Sequence, residues 1–184
     1  MESVPDRPAI VVATPGAEPV AAAGYAAIVL LDTWLALARP DLRTDEEALR
    51  RWLGAAGLVT PGGVVLAVGD PVHPALQALV RWDPSGFARR EAETRSEAPL
   101  PPASRLATMT GQAGAVDDAL TLLERPPGTE VLGPVEVDDG EARVVVRVPR
   151  AHGPRLSHAL GEVQRLRSAR KLDPVRIQVD PVSL

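Results

Sequence analysis

The chain has 184 residues, a net charge of −4 and no cysteine, and only 3% of its residues are aromatic. This length allows one ordinary domain or two small ones. The lack of cysteine excludes disulfides, thiolate metal sites and cysteine nucleophiles, and the three histidines are too scattered for a histidine-rich metal site. No apolar run is long enough to cross a membrane and no signal peptide opens the chain, so we expect a cytoplasmic protein without metal or cofactor.

The first half of the chain alternates strand and helix patterns. Two short apolar runs lack polar alternation, which is typical of strands buried on both faces. Thr44 with Glu47 three residues later predicts the capped start of a helix, which Gly62 and Gly63 end. The predicted strands cover residues 9–13, 26–31 and 64–68, and two further helices cover residues 73–81 and 84–98. This order predicts an α/β unit with a mostly parallel sheet.

Three prolines between residues 99 and 102 mark the clearest break in the pattern. Proline cannot continue a helix and favours an extended segment. We therefore expect one domain over residues 1–98, a linker over 99–102 and a second domain over 103–184.

The second half predicts the element order β-α-β-β-α-β, the split βαβ or ferredoxin-like arrangement of an α+β domain. Asp138-Asp139-Gly140 is the strongest hairpin signal in the chain. The predicted strands cover residues 105–110, 130–137, 142–148 and 175–179, and the predicted helices cover 113–123 and 153–169.

Charge is distributed unevenly along the chain. Residues 141–184 contain nine basic and four acidic residues, whereas residues 1–140 contain eleven basic and twenty acidic ones. This asymmetry is typical of a basic binding surface on an acidic scaffold, although a solvated arginine-rich face would give the same counts. Cations at the end of a helix also suit the helix dipole.

Several segments resemble the C-terminal part of the PriA family of replication-restart helicases, primosomal protein N′. The segment 32–46 is similar to the family's Pro-Asp-Phe-Arg-Ala-x-Glu-Arg stretch, and Pro71-Val72-His73-Pro74 to its Pro-x-His-Pro segment. Pro101-Pro102-Ala103 resembles the family's Pro-Pro-Phe, and the closing segment 175–181 its Asp-Val-Asp-Pro. The resemblance follows the family's order along nearly the whole chain.

The departures from the family pattern concern helicase chemistry. The family's Gln-x-x-Gly-Arg-x-Gly-Arg motif aligns with residues 54–61, and Leu58 and Pro61 replace its arginines. Such arginines stabilise charge on the transferred phosphate, and their loss costs about three to five orders of magnitude in rate. The family's Gly-Thr-Gln-Met-Ile-x-Lys-Gly motif aligns with residues 12–19 without its lysine, and no phosphate-binding loop is present. We expect no ATPase or helicase activity. The chain is either a piece of a longer PriA or a shortened relative.

The resemblance implies a partial, degenerate RecA-like helicase lobe followed by a C-terminal DNA-binding domain. It implies a function in replication restart and primosome assembly, in association with the nucleoid. The implied partners are single-stranded or forked DNA, contacted through its phosphates, and other primosome or single-strand-binding proteins, with no membrane. The predicted DNA-binding residues are Arg147, Arg150, Arg155, Arg165, Arg167, Arg170, Lys171 and Arg176.

Other candidate sites are interpreted as structural. Asp32, which follows a predicted strand, is interpreted as a turn or capping residue. A group of charged residues is interpreted as a charge cluster at the start of a helix, which suits the helix dipole: Asp41, Arg43, Glu46 and Glu47. Ser104, Ser157 and Ser168 lack a nucleophile motif, and His152 and His158 read as surface residues. The alternative to DNA binding is a non-enzymatic scaffold for protein interactions, which the acidic first half suits equally.

Overall fold

The computed structural model describes residues 4, 7–137 and 140–181 of the chain. The chain divides into two compact units, Met1–Arg90 and Glu91–Leu184. Helix α4, Pro84–Glu97, contributes residues to both units. The Pro-rich segment 99–102 belongs to the second unit, and its role as a domain linker stays a prediction.

The first unit packs helices against one side of a short parallel sheet. Its elements before α4 are β1 Tyr25–Leu30, α1 Thr33–Leu37, α2 Thr44–Ala56, β2 Val59–Ala67 and α3 Pro74–Val80. Buried residues recur at helical spacing in α2, among them Ala48, Leu49, Trp52 and Ala56, and they meet Leu76 and Leu79 in a single core. Leu30 and Val65 pack against that core from the strands. The parallel pairing of β1 with β2 agrees with the predicted α/β pattern.

The strands of the first unit are not buried on both faces, contrary to the sequence-based expectation. Ile28 pairs with Val65 and Leu30 with Ala67, whereas the alternate residues Val29 and Leu66 remain about half exposed. The predicted strand over residues 9–13 is also wrong, because that segment is irregular and Ile10 and Val12 are more than 90% exposed. An apolar run forms a strand only when another strand accepts its backbone hydrogen bonds.

The start of α2 differs in detail from the prediction. Arg43 is its N-cap, and Thr44 is the first helical residue, with its hydroxyl donating to the Arg39 carbonyl at 2.8 Å. The helix ends at Ala56, before Gly62 and Gly63, which lie inside β2. Gly62 has a φ of +84°, a backbone conformation that glycine adopts without strain.

The second unit contains a four-stranded antiparallel sheet. Its elements after α4 are β3 Ser104–Gly111, α5 Ala113–Leu122, β4 Glu130–Glu136, β5 Ala142–Pro149, a 3-10 turn Arg150–His152, α6 Gly153–Ala169 and β6 Val175–Val179. The strand order is β4-β5-β3-β6. The predicted order β-α-β-β-α-β is therefore the observed one, and the hairpin is observed as the β4–β5 pair. Two of the hairpin's turn residues, Asp138 and Asp139, lie outside the described residues.

Both long helices of the second unit pack on one face of this sheet. Every second residue of β5 is fully buried there, Val144, Val146 and Val148, because side chains alternate between the faces of a strand. These valines meet Val116 and Ala119 of α5, and also Leu156, Leu160 and Val163 of α6. The core is aliphatic, as the low aromatic content predicts.

One end of the second unit gathers six element termini, and we call it the turn end. Helix α6 and strands β3 and β4 finish there, and helix α5 and strands β5 and β6 begin there. Gly111, the last residue of β3, pairs with Val175, and a Cβ on Gly111 would lie 2.9 Å from the Pro174 carbonyl oxygen. The segment that leaves α6 is therefore in close contact with the last residue of β3.

Candidate nucleic-acid interface

The candidate acidic residues of the first unit lie at helix starts. Asp32 is the N-cap of α1 in the left-handed conformation (φ 48°), without a side-chain capping hydrogen bond. Asp41 accepts a hydrogen bond from the Arg43 backbone at 2.9 Å. Glu47 accepts one from Arg50 at 2.8 Å. This bond, with the charges of Arg50 and Arg51, holds the pKa of Glu47 below its usual value. A depressed pKa keeps Glu47 ionised and unsuited to act as a general acid at neutral pH.

The residues at the positions of the family's arginines carry no group for phosphate chemistry. Leu58 follows α2, and its carbonyl accepts the Tyr25 backbone N–H at 2.9 Å. Pro61 is an exposed residue inside β2. Neither side chain has a donor or a charge.

The serines and histidines do not assemble a nucleophile or a metal site. Ser104 is buried in β3, whereas Ser157 and Ser168 are exposed on α6. His73 caps α3 by accepting the Ala75 N–H at 3.3 Å, and His158 lies 3.8 Å from Glu162. Within the described residues, no three His, Asp or Glu side chains are arranged to hold a metal ion. Of the helices in that part of the chain, none is both long and apolar enough to cross a membrane.

Two of the predicted DNA-binding arginines lie on the sheet face opposite the helices. Arg147 of β5 alternates with the buried valines, and Arg176 of β6 pairs with Thr110 of β3. Arg143, which the sequence-based prediction missed, lies on the same face and pairs with Thr110 from the other side. We call Arg143, Arg147 and Arg176 the arginine face. The sequence contained a signal for Arg143. It lies four residues before Arg147 in the same strand, and side chains at even spacing lie on one face of a strand.

The three guanidinium groups of the arginine face differ in how many hydrogen-bond and ion-pair partners hold them. Arg147 is bound twice, in an ion pair with Glu130 and to the Pro99 carbonyl at 3.4 Å. Arg143 donates its Nε–H to the Thr110 hydroxyl at 3.2 Å. Arg176 is 3.8 Å from Glu141, and most of its side chain is exposed. Arg143 and Arg176 can therefore reach a ligand at lower cost than Arg147.

The remaining predicted residues do not form one surface. Arg150 in the 3-10 turn and Arg155 in the first turns of α6 lie at the end of the unit opposite the turn end. Arg165 points outward from α6 and pairs with Glu162 at 2.7 Å. Arg170 and Lys171 follow α6 at the turn end, where both are exposed and form no ion pair within the described part of the chain.

Arg167 is buried, unlike the other members of the predicted set. It continues the core-facing stripe of α6, and only 5% of its surface is exposed. Its Nη2 donates to the Asp173 carbonyl at 2.8 Å. Its Nε and Nη1 are buried and have no hydrogen-bond partner among the described residues. The sequence placed Arg167 at the basic end of the helix, and its spacing from Leu160 and Val163 was the signal that it points inward.

The turn end carries four of the accessible cations of the second unit, Arg143, Arg170, Lys171 and Arg176. The described carboxylates at the same end are Glu136, Glu141 and Asp173. Such a surface suits phosphate groups, since guanidinium and ammonium donors match phosphate oxygens. The described part of this surface has no aromatic side chain, so base stacking does not contribute there.

Comparison with known proteins identifies the second unit. Residues 96–182 match the sequence model of the primosomal protein N C-terminal domain. This part of the chain belongs to that family. The chain is also 43% identical, over 97% of its length, to the probable replication restart protein PriA of Mycobacterium leprae. It is 40% identical, over 96% of its length, to the protein of the same name from Mycobacterium tuberculosis.

These matches confirm the resemblance to PriA that the sequence motifs indicated. The chain spans about 30% of the length of the curated relatives that it matches. The similarity therefore covers both units of this chain but a minor part of each relative.

Proposed function

We propose that the chain binds DNA through its second unit and acts in replication restart. The observation that supports this most directly is the group of accessible cations at the turn end, Arg143, Arg170, Lys171 and Arg176, in a chain of net charge −4. The names of the relatives, replication restart proteins, supply the process. Single-stranded or forked DNA is the proposed ligand, and primosome or single-strand-binding proteins are the proposed partners.

We propose fold assignments that go with this function. The strand order β4-β5-β3-β6, with two helices on one face, supports a ferredoxin-like second unit. The parallel β1–β2 pair with flanking helices supports a first unit derived from a RecA-like lobe.

The proposed binding surface is smaller than the eight residues that the sequence suggested. Arg150 and Arg155 lie at the opposite end of the unit, Arg147 is bound to Glu130 and Arg167 is buried. We therefore assign the principal phosphate contacts to the turn end, with Arg143 added. Binding through so few contacts is weak, insensitive to base sequence and strongly dependent on salt.

Binding is tested by fluorescence anisotropy with a labelled oligothymidine at several salt concentrations. Replacing Arg170, Lys171 and Arg176 together with Ala is expected to flatten the slope of log K against log salt by about 0.7 per lost contact on single strands. Replacing Arg39, Arg81 and Arg89, which are exposed in the first unit, removes the same charge and is the control. Equal slopes for both triple variants would sink the assignment to the turn end.

We also propose that the chain does not hydrolyse ATP or unwind duplex DNA. Leu58 and Pro61 at the family's arginine positions support this, together with the lack of a phosphate-binding loop in the sequence. The test is steady-state ATP turnover in the presence of single-stranded DNA. Turnover clearly above that of a heat-denatured sample would contradict the proposal.

A protein-interaction scaffold is the second candidate function. The exposed apolar side chains of the first unit favour it, since Val29, Leu31, Val64, Leu66 and Val68 are each at least half exposed. If the full chain shows no affinity for the oligonucleotide even at low salt, the scaffold function explains the protein better than DNA binding does.

A further inference from the structure

A small apolar pocket lies beside strand β2 in the first unit. Its volume is about 270 Å³, and it is lined by Ala56, Val65, Ala67, Leu79, Val80 and Trp82. Two of these residues come from β2 and none comes from β1. In the described part of the chain β2 pairs with β1 alone, so its other edge has no partner strand. The pocket therefore adjoins a strand whose outer edge can accept a further strand.

Trp82 occupies a backbone position that favours glycine. It follows Arg81, the C-cap of α3, and has a φ of 52°. The Trp82 N–H donates to the Leu79 carbonyl at 3.1 Å, and the Asp83 N–H donates to the Ala78 carbonyl at 2.9 Å. These are the two hydrogen bonds of a Schellman motif, in which glycine is the usual residue at the left-handed position. A tryptophan there is strained, because its Cβ crowds the backbone.

The strain at Trp82 is not offset by burial of its ring. Trp82 is 59% exposed and Val80 is 77% exposed, although both line the apolar pocket. Strained residues of this kind occur at binding sites, and tryptophan is enriched among the residues that contribute most to protein interfaces. Apart from the indole N–H, the lining side chains carry no hydrogen-bonding group, which favours an aliphatic side chain over a nucleotide base as the occupant.

Positive charge predominates beside the pocket. The corner between α3 and α4 contains three arginines and one acidic residue, Arg81, Arg89, Arg90 and Asp83. Asp83 is already engaged, because it accepts the Gly86 N–H at 2.8 Å and lies 3.9 Å from Arg90. Arg81 and Arg89 are exposed and form no ion pair within the described part of the chain. Two guanidinium groups are therefore available to carboxylates of a partner.

We propose that this pocket binds an extended acidic segment of a partner protein. One aliphatic side chain of the segment enters the pocket beside Trp82, and its backbone adds to the free edge of β2 as a further strand. Carboxylates on either side of that residue pair with Arg81 and Arg89, and this charge selects an acidic segment over a basic one. The proposal concerns the first unit and does not depend on the DNA binding proposed for the second.

The test is fluorescence anisotropy of the full chain with a labelled peptide in which leucine alternates with glutamate. This peptide should bind, and versions with lysine for glutamate or serine for leucine should bind at least about tenfold more weakly. Equal binding of the lysine peptide, or no binding of the glutamate peptide, would overturn the proposal. Displacement of the bound peptide by unlabelled oligothymidine would show that the pocket takes nucleic acid and would also overturn it.

Two variants test the pocket itself. Trp82→Gly keeps the Schellman motif and relieves the strain, so the thermal midpoint should not fall, whereas peptide affinity should fall about tenfold or more. Ala67→Leu fills the pocket from β2 and should weaken binding in the same way. Unchanged affinity in both variants would refute the proposal. Light scattering adds a further check: a dimer that Trp82→Gly converts to a monomer would show that a second copy of the chain fills the pocket instead of an acidic partner.

A second pair of variants tests the charge. Arg81→Glu with Arg89→Glu should exchange the preference, so that the lysine peptide binds more tightly than the glutamate peptide. The control is Arg39→Glu with Arg43→Glu, because both residues are exposed near the start of α2, about 18 Å from its end at Ala56. This control makes the same change in net charge and should retain the preference for the glutamate peptide. If it exchanges the preference as well, the selection comes from overall charge and the proposed site is wrong.

Discussion

Thr110 lies between two arginines on the central strand of the second unit. Arg143 of β5 and Arg176 of β6 both pair with it, and Arg143 donates to its hydroxyl at 3.2 Å. A phosphate group that bridges the two guanidinium groups would offer them a negatively charged acceptor, whereas the Thr110 hydroxyl is a neutral one.

The double replacement of Arg143 and Arg176 with Ala should therefore weaken oligothymidine binding about tenfold, as the loss of two phosphate contacts implies. Arg125→Ala is the control, because Arg125 is exposed in the same unit at the end away from these residues. Anisotropy at low salt measures both. If Arg125→Ala weakens binding as much as the double variant, the effect comes from overall charge and not from the pair.

Two glycines three positions apart should respond to alanine in opposite ways. A Cβ on Gly111 would lie 2.9 Å from the Pro174 carbonyl, and backbone atoms cannot move away cheaply, so Gly111→Ala should destabilise the second unit by about 1–3 kcal/mol. Gly114 has open space and lies in a helix, so Gly114→Ala should stabilise it by about 0.5–1 kcal/mol. Urea unfolding measures the two changes. Equal effects would contradict the close approach of β3 to the segment before β6.

At the level of elements, the second unit follows its sequence pattern and the first unit does so only in part. In β5 the β-branched valines predict a strand, and Arg143 and Arg147, which alternate with Val144, Val146 and Val148, mark the face that is not buried against the helices. In the first unit an uninterrupted apolar run does not show which face of a strand is buried. It also does not show whether a partner strand exists to pair with it. Residues 9–13 have the composition of a strand but no strand paired with them, and β1 and β2 keep apolar side chains exposed.

The candidate DNA-binding surface, like the fold, could be predicted from the sequence only in part. Basic residues at the end of α6 were visible as a cluster, since residues 167, 170 and 171 are close in sequence. The helical spacing of Arg167 from Leu160 and Val163 indicated its inward direction, but its hydrogen bond to the Asp173 carbonyl depends on how α6 meets the loop before β6. The meeting of Arg143 with Arg176 across Thr110 required the strand order, which no local pattern contains.

The exposed apolar side chains of β1 and β2 predict a measurable surface property. Val29 and Val64 are about half exposed, so replacing both with Thr keeps the β-branched shape and should lower the binding of a hydrophobic dye. Stability should change by less than about 0.5 kcal/mol. Val65→Thr is the matched control, because Val65 packs on the core and a hydroxyl there should cost about 1–3 kcal/mol. Dye fluorescence and thermal unfolding separate the outcomes, and unchanged dye binding in the double variant would show that these side chains do not form the apolar surface.

For the whole molecule, the arrangement of charge matters more than its sum. Residues 1–90 contain eight basic and ten acidic residues, and residues 91–184 contain twelve and fourteen, so neither unit is basic overall. Screening in physiological salt limits the reach of a charge to about 8 Å, so a phosphate responds to the cations beside it and little to distant carboxylates. A local group of cations can therefore bind DNA on an acidic protein.

The second unit should therefore retain the DNA affinity of the chain when it is produced alone as residues 91–184. It has its own buried core between α5, α6 and the sheet, which gives reason to expect that it folds. We expect its dissociation constant for oligothymidine to lie within about threefold of the full chain's, with the same salt slope, because the counterions released are those at the same contacts. Residues 1–90 alone should show no binding under these conditions. Circular dichroism confirms folding of each piece before anisotropy is measured. A folded second unit that no longer binds, or a first unit that does, would show that the accessible cations of the turn end are not sufficient for binding.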